Sequence, residues 1–202
     1  MEMTILYEVG ESLYVNLTNH CPCACTFCLR QTRDHMENSG SLWLAHTPDL
    51  SEVLAEFAKF DMTRYREIVF CGFGEPMEAL SVLLEVAKYC KAHYSQPIRI
   101  NTNGLADLIT GRNAALELDG KVDAVSVSLN ASTAEGYEAI CHSQYGLQAF
   151  PAILKFTSTA VFNVPHVRMT VVSTMPKEEI DACKRVCEKI GADFFVREYI
   201  DK

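Results

Sequence analysis

Short apolar runs separated by turn residues recur along the whole chain. Runs rich in β-branched and aromatic residues predict strands at 66–70, 97–101, 122–129, 166–172 and 193–196. The segment 4–18 predicts two further strands joined by a turn at Gly10. We therefore expect a short N-terminal strand followed by six strands of similar character.

Amphipathic helices are predicted between several of these strands. Within 48–60, apolar side chains recur at helical spacing, at Leu50, Val53, Leu54, Phe57 and Phe60. Helices at 76–93 and 176–191 begin with proline, which suits the first helical turn. Strands that alternate with helices predict a parallel sheet covered by helices. The expected fold class is α/β, a partial (β/α)6 TIM-like barrel with a parallel sheet, preceded by a short N-terminal strand.

Composition favours a globular protein in a reducing compartment. The 202 residues, of which 49% are hydrophobic, suit a single domain over 1–202. No apolar run approaches the ~18 residues of a membrane span, and Glu2 stands where a secretory signal would be basic. We therefore expect a cytoplasmic protein without membrane contact. Nine cysteines disfavour a closed disulfide framework, and a net charge of −8 disfavours nucleic-acid binding by charge neutralisation.

Four cysteines are concentrated in "NHCPCACTFCLR", residues 19–30. Cys21, Cys25 and Cys28 have the spacing C-x3-C-x2-C, and three thiolates on one short loop can hold three irons of a 4Fe–4S cluster. The remaining iron would keep an open position for a ligand. Cys23 is out of register and is interpreted as a bystander. The alternative is a four-cysteine zinc site, although C-x-C-x-C crowds ligands that prefer two intervening residues.

Polar motifs follow the next strands, at the ends where parallel α/β sheets bind ligands. In "CGFGEP", Gly72 and Gly74 allow a ligand to approach the backbone, and Glu75 offers a carboxylate to an ammonium group. An ordinary strand–helix turn with Glu75 at the helix N-terminus explains the same motif. "TNG" at 102–104 is a strong turn signal.

Three further polar residues are candidates for ligand contact. Ser128 and Asn130 are two apart and share one face, where they suit a ribose hydroxyl or a plain strand-end turn. Arg168 lies within an apolar strand, and a buried arginine needs a ligand carboxylate or an acidic neighbour. The later cysteines are interpreted as core residues, namely Cys90, Cys141, Cys183 and Cys187.

Taken in series, these motifs resemble those of the radical S-adenosylmethionine (SAM) superfamily. "CPCACTFC" is similar to its cluster loop, "GFGEP" to the motif that holds the SAM amino group, and "SLN" to its ribose-binding motif. The resemblance covers nearly the whole chain. The small size, the "FCLR" continuation and the "VREYI" ending also resemble the short radical SAM proteins associated with TatD-type nucleases.

The resemblance implies a 4Fe–4S cluster and SAM as cofactors, with Cys21, Cys25 and Cys28 as iron ligands. It implies reductive cleavage of SAM to a 5′-deoxyadenosyl radical that abstracts hydrogen from a substrate. The expected electron donor is a flavodoxin or a ferredoxin. The implied SAM contacts are Phe27, Val196 and Arg197 for adenine, Gly72, Phe73, Gly74 and Glu75 for methionine, Thr102, Asn103, Ser128 and Asn130 for ribose, and Arg168 for the carboxylate.

No motif identifies the substrate. Six strands leave a barrel open, so we expect a substrate or a partner, such as a TatD-type nuclease, to cover its mouth. The loop 31–44 either lines that entrance or is a surface loop anchored by Trp43. Two other classes stay open, a non-catalytic iron–sulfur redox or sensor module and a zinc-dependent hydrolase. The second lacks a His/Asp/Glu ligand set and a base.

Overall fold

A seven-stranded sheet forms the centre of the fold in a computed structural model that describes residues 3–199. Its strands are β1 (Leu6–Val9), β2 (Ser12–Val15), β3 (Glu67–Phe70), β4 (Ile98–Thr102), β5 (Ala124–Ser128), β6 (His166–Val172) and β7 (Asp193–Arg197). They lie side by side in chain order. β1 is antiparallel to β2, and all later neighbours are parallel. The predicted architecture, an N-terminal strand before six parallel strands, is confirmed, and the open sheet is a partial barrel.

Helices cover one face of this sheet. They are α1 (Leu50–Phe57), α2 (Leu80–His93), α3 (Ala106–Thr110), α4 (Ala114–Glu117), α5 (Ala134–Cys141), α6 (Ala149–Asn163) and α7 (Lys177–Ile190). The predicted helices correspond to α1, α2 and α7, although residues 76–79 form a separate 3-10 turn before α2. Asp49 caps α1 in a reciprocal pair with Glu52, and Gly191 ends α7 at φ +83°.

Side-chain alternation divides the sheet into an apolar face and a polar face. Ile98, Ile100, Val125 and Val127 are fully or almost fully buried against the helices in one core. The intervening residues point to the other side, which we call the inner face. The inner face carries hydrogen-bonding side chains at several strands, among them Tyr14, Glu67, Arg99, Asn101, Ser126 and Arg168.

Among residues 3–199, no helix combines the length and apolar character that a membrane span requires.

Candidate active site

The carboxyl ends of the parallel strands bring the sequence motifs to one rim of the sheet. The cysteine loop follows β2, the turn 71–76 follows β3, the turn 102–104 follows β4, Asn130 follows β5 and Arg197 ends β7. Because parallel strands end at the same edge, segments that are far apart in the chain become neighbours there.

Docking onto α5 fixes the shape of the cysteine loop. The backbone N–H of Ala24 donates to the carbonyl of Cys141 at 2.9 Å, and that of Thr26 donates to the carbonyl of Ile140 at 3.0 Å. Arg30 reinforces the loop, since its Nη2 donates to the carbonyl of Cys23 at 2.9 Å. The backbone of the loop is therefore fixed by contacts with α5 and by its own Arg30.

The three predicted iron ligands, Cys21, Cys25 and Cys28, are partly exposed free thiols. Cys23 is only 4% exposed, and its Sγ lies 3.7 Å from the hydroxyl of Tyr137. The Cys21 thiol donates a hydrogen bond to the neighbouring Cys23 sulfur, which raises the pKa of Cys21, and burial raises it further; burial also raises the pKa of Cys28. Cationic iron favours the thiolate form and offsets these effects, so the donor set fits an iron–sulfur cluster.

This arrangement differs from a mononuclear metal site. Within the described part of the chain, no three His, Cys, Asp or Glu side chains are grouped to hold one metal ion. A 4Fe–4S cluster makes a different demand, because each cysteine binds a separate iron.

Cys141 adjoins the cysteine loop, although the sequence indicated only a core residue. It is fully buried, and its Sγ accepts a hydrogen bond from Asn130 Nδ2 at 3.5 Å. The Cys25 thiol donates a hydrogen bond to the Cys141 sulfur, which is the largest effect that raises the pKa of Cys25, and burial raises this pKa further. No spacing rule would have revealed this neighbour, since it arises from the packing of α5 against the loop.

Glu75 is the centre of a buried hydrogen-bond network behind the rim. Its side chain is 4% exposed; Oε1 accepts from Thr102 Oγ1 at 2.6 Å and Met77 N at 3.1 Å, and Oε2 accepts from Asn103 N at 2.7 Å. Burial is the largest effect on Glu75 and raises its pKa to about 7. The Thr102 hydroxyl also accepts from Gly104 N at 3.0 Å, so it helps to hold the turn 102–104, and its contact with a ribose stays a prediction.

Close packing within the chain explains the two glycines of the turn 71–76. A Cβ on Gly72 would lie 2.1 Å from Asn16 Oδ1, and a Cβ on Gly74 would lie 2.2 Å from the carbonyl oxygen of Thr18. The sequence interpretation assigned their small size to a ligand. The structure shows that the residues after β2 already require glycine at both positions, whereas the predicted ligand contact stays a prediction.

A cavity of about 360 Å³ opens at the rim beside the cysteine loop. Phe27 and Asn130, both predicted SAM contacts, line it. Asn130 has φ +60°, a left-handed conformation that asparagine adopts more readily than most residues. The sequence did not point to the other lining residues, which include Ile140, Val172, Met175 and Tyr199.

Two inner-face arginines lie at different depths. Arg197 pairs in register with Val172 at the rim, whereas Arg168 pairs with Ser126, four residues nearer the amino ends. At ~3.3 Å per residue the two levels are about 13 Å apart. The expectation that Arg168 holds the SAM carboxylate is therefore not supported. Arg197 lies at the rim, with Nη2 3.5 Å from Asn130 Oδ1 and a buried Nε that lacks a hydrogen-bond partner within residues 3–199.

The remaining predicted SAM contacts occupy different surroundings. Ser128 lies on the inner face, half-buried and level with Thr170. The side chain of Val196 packs against the helix-side core. Asn103 points its Nδ2 towards the Sγ atoms of Cys21 and Cys23, at 4.0 and 3.9 Å.

The loop 31–44 is anchored by Leu42. This side chain is 1% exposed and packs with Tyr7 and Phe73, while its carbonyl accepts from Asn16 Nδ2 at 2.8 Å. Trp43 is 44% exposed and contacts the Phe73 ring edge-on, with centroids 5.2 Å apart. The alternative in which Trp43 anchors the loop in the core is therefore wrong, and Trp43 lies beside Phe73 of the turn 71–76.

An open parallel sheet with a three-cysteine loop at its carboxyl rim defines an α/β core suited to an iron–sulfur cofactor. The sequence profile of the Radical SAM superfamily matches residues 15–187, so the chain belongs to that superfamily. A search of curated proteins found no match.

Solved structures share this fold at low sequence identity. The structure of native anSMEcpe with bound AdoMet (SAM) aligns with a TM-score of 0.64 and 16% identity, over 93% of this chain and 51% of that one. Methylornithine synthase (PylB) gives 0.64 and 13%, over 94% and 53%. SuiB of Streptococcus suis bound to S-adenosylmethionine gives 0.61 and 18%, over 95% and 38%. The chain thus spans about half or less of the length of these proteins.

Proposed function

We propose that residues 1–202 form a single radical SAM core domain that cleaves SAM and passes a radical to a substrate. The observation that carries this proposal is the convergence of the cysteine loop, the rim cavity and the guanidinium of Arg197 at one rim. When bound, the reduced 4Fe–4S cluster supplies one electron to the SAM sulfonium, which yields methionine and a 5′-deoxyadenosyl radical.

Cys21, Cys25 and Cys28 hold the cluster in this proposal. They are the partly exposed thiols of the loop, whereas Cys23 is set back against Tyr137 in the core. Three ligands for four irons leave one iron free to bind SAM, whereas four cysteines are usual in electron carriers.

The adenosine of SAM occupies the rim cavity, whose lining includes Phe27 and Asn130. An apolar cleft with a few polar groups is the usual character of a small-molecule site. Ser128 lies on the adjoining inner face, and the backbone at Val196 borders the same strand end. Arg197 takes the role of carboxylate partner, because its buried Nε has no hydrogen-bond partner among the described residues.

The methionine end of SAM lies towards the turn after β3. Glu75 Oε2 accepts one hydrogen bond from the described residues, and a carboxylate oxygen can accept a second. An ammonium group placed there would also relieve the cost of the buried charge. Asn103 connects this turn to the cysteine loop, and Gly72, Phe73 and Gly74 shape it.

Substrate and partners complete the proposal. A flavodoxin or ferredoxin supplies the electron. The open sheet leaves the rim accessible, and a radical needs water excluded, so a substrate or partner covers the mouth. The motifs "FCLR" and "VREYI" support an association with a TatD-type nuclease; Ile200 of the second motif lies outside the described residues.

The decisive test is anaerobic reconstitution with iron and sulfide, reduction with dithionite, addition of SAM and an assay for 5′-deoxyadenosine. We expect product from the wild-type chain and none from the alanine variants of Cys21, Cys25 or Cys28. Cys23→Ala is the matched control and should keep its chromophore and its product. A cluster that forms normally but never cleaves SAM would replace this proposal with the non-catalytic redox or sensor module.

A further inference from the structure

A second cavity, of about 180 Å³, lies at the opposite end of the inner face. Its polar lining comes from Arg99, His166, Arg168 and Asp193, at or near the amino ends of β4, β6 and β7. These strands carry the proposed SAM site at their other ends. The cavity therefore forms a floor beneath the rim.

Of the two arginines that line this cavity, Arg99 forms an ion pair that balances its charge. Arg99 forms a two-pronged ion pair with Glu67, with Nε to Oε2 at 3.0 Å and Nη2 to Oε1 at 2.6 Å. Its Nη1 donates to Asn101 Oδ1 at 2.5 Å. The two members of this pair therefore satisfy each other directly.

Arg168 has no such balance. Its Nε donates to Ser126 Oγ at 3.1 Å, and its guanidinium carbon lies 5.0 Å from the centre of the Phe195 ring. Within residues 3–199 it forms no ion pair, although exposed Asp193 is its neighbour in register. Burial, followed by the charge of Arg99, lowers the pKa of Arg168.

These contacts orient the side chain of Arg168 but leave most of its hydrogen-bond donors without a partner among the described residues. A guanidinium has five N–H donors in a planar fork, and the hydrogen bond to Ser126 uses one of them. The guanidinium carbon lies over the ring of Phe195, and this contact uses none of the remaining N–H donors, which are left for a ligand. The charge of Glu67 favours the charged form of Arg168, but burial and the charge of Arg99 outweigh it, and a bound oxyanion would offset the remaining cost.

We propose that Arg168 binds an anionic group of the substrate, a carboxylate or a phosphate, on the floor of the inner face. The anion site stands on this geometry alone, and its assignment to the substrate rests on the proposed function. The rim lies about 13 Å above Arg168. A substrate held there by its anionic end therefore needs a body of roughly 10 Å to bring a C–H bond to the radical.

The test measures anion binding by the anaerobically reconstituted full chain. Inorganic phosphate and acetate are titrated separately by calorimetry into wild type, Arg168→Gln, Arg168→Lys and Lys184→Gln. Lys184 is exposed on α7, so its variant removes the same charge away from the cavity. The better-bound anion shows whether the site prefers a phosphate or a carboxylate.

We expect Arg168→Gln to weaken binding at least tenfold, as loss of a charge-assisted pair predicts. Arg168→Lys should lose several-fold, because it keeps the charge and loses the fork. Lys184→Gln should stay within about twofold of wild type. Circular dichroism confirms folding, and Arg168→Lys decides the matter if Arg168→Gln does not fold. Equal affinity in wild type and the folded Arg168 variants, or no binding by wild type, overturns the anion site.

SAM cleavage by the same wild-type preparation separates this inference from the proposed function. A chain that cleaves SAM but shows no Arg168-dependent anion binding overturns the anion site alone. A chain that binds phosphate through Arg168 but never cleaves SAM keeps the anion site, and it overturns both the proposed function and the assignment of the anion to a substrate.

Discussion

The buried carboxyl of Glu75 should make the stability of the protein fall as the pH rises through neutrality. Burial raises the pKa of Glu75 from 4.5 to about 7 in the folded state. Between these values the folded chain keeps a proton that the unfolded chain has released. The stabilisation is complete below about pH 4.5 and is lost as the pH approaches 7.

The size of the effect follows from the same two values. A tenfold change in an ionisation equilibrium corresponds to about 1.4 kcal/mol. The difference between 4.5 and about 7 therefore amounts to ~3 kcal/mol, of which about 2–3 kcal/mol falls between pH 5 and pH 8. The three hydrogen bonds to the carboxylate already act in the opposite direction and are included in this pKa.

Urea unfolding under anaerobic conditions at pH 5, 6, 7 and 8 measures this dependence. Glu75→Gln cannot titrate, so its free energy of unfolding should lack the fall that wild type shows over that interval. Glu188→Gln, at an exposed position of α7 that is not among the groups acting on Glu75, is the matched control and should follow wild type. The argument is refuted if the wild-type and Glu75→Gln curves run parallel from pH 5 to pH 8.

Three further substitutions test the packing and the rim. Gly74→Ala would place a Cβ 2.2 Å from the Thr18 carbonyl oxygen and should cost about 1–3 kcal/mol in thermal or urea unfolding; an unchanged midpoint would contradict this contact. Leu42→Ala should cost about 2–4 kcal/mol and speed hydrogen exchange in loop 31–44, whereas exposed Trp43→Ala should cost less; the reverse order would restore the tryptophan anchor. Arg197→Gln should weaken SAM binding roughly tenfold or more at constant iron content, and unchanged affinity would remove Arg197 from the proposed site.

The sequence was sufficient to predict the strands of the sheet, because their residue composition differs clearly from that of the flanking turns and helices. Apolar runs bounded by turn residues located β3 to β7, and the strand–helix rhythm predicted their parallel order. α6 was missed because its segment is apolar on most sides and contains Pro151 and β-branched residues, so it shows no clear stripe. α3 and α4 are too short to produce a helical period.

The sequence was sufficient to locate the motifs of the site. It was not sufficient to predict how far below the rim each side chain lies. The spacing of the cysteines in loop 19–30 is a local feature of the sequence, so it can be recognised without knowledge of the tertiary structure. The level of Arg168 depends on strand register, which places it beside Ser126 and below the rim. The contact of Cys141 with Cys25 depends on how α5 docks. Such contacts join distant parts of the chain, and local sequence patterns do not predict them.

The docking of the cysteine loop onto α5 also constrains the order of assembly. Ala24 and Thr26 are held by the carbonyl groups of Cys141 and Ile140, which are synthesised long after the loop itself. The backbone of the cysteine loop is therefore fixed only after most of the sheet and α5 have been synthesised, because contacts of high sequence separation form late. We expect iron and sulfide to be inserted into a chain that has already folded through α5, with the loop as a late-closing element and not as a folding nucleus.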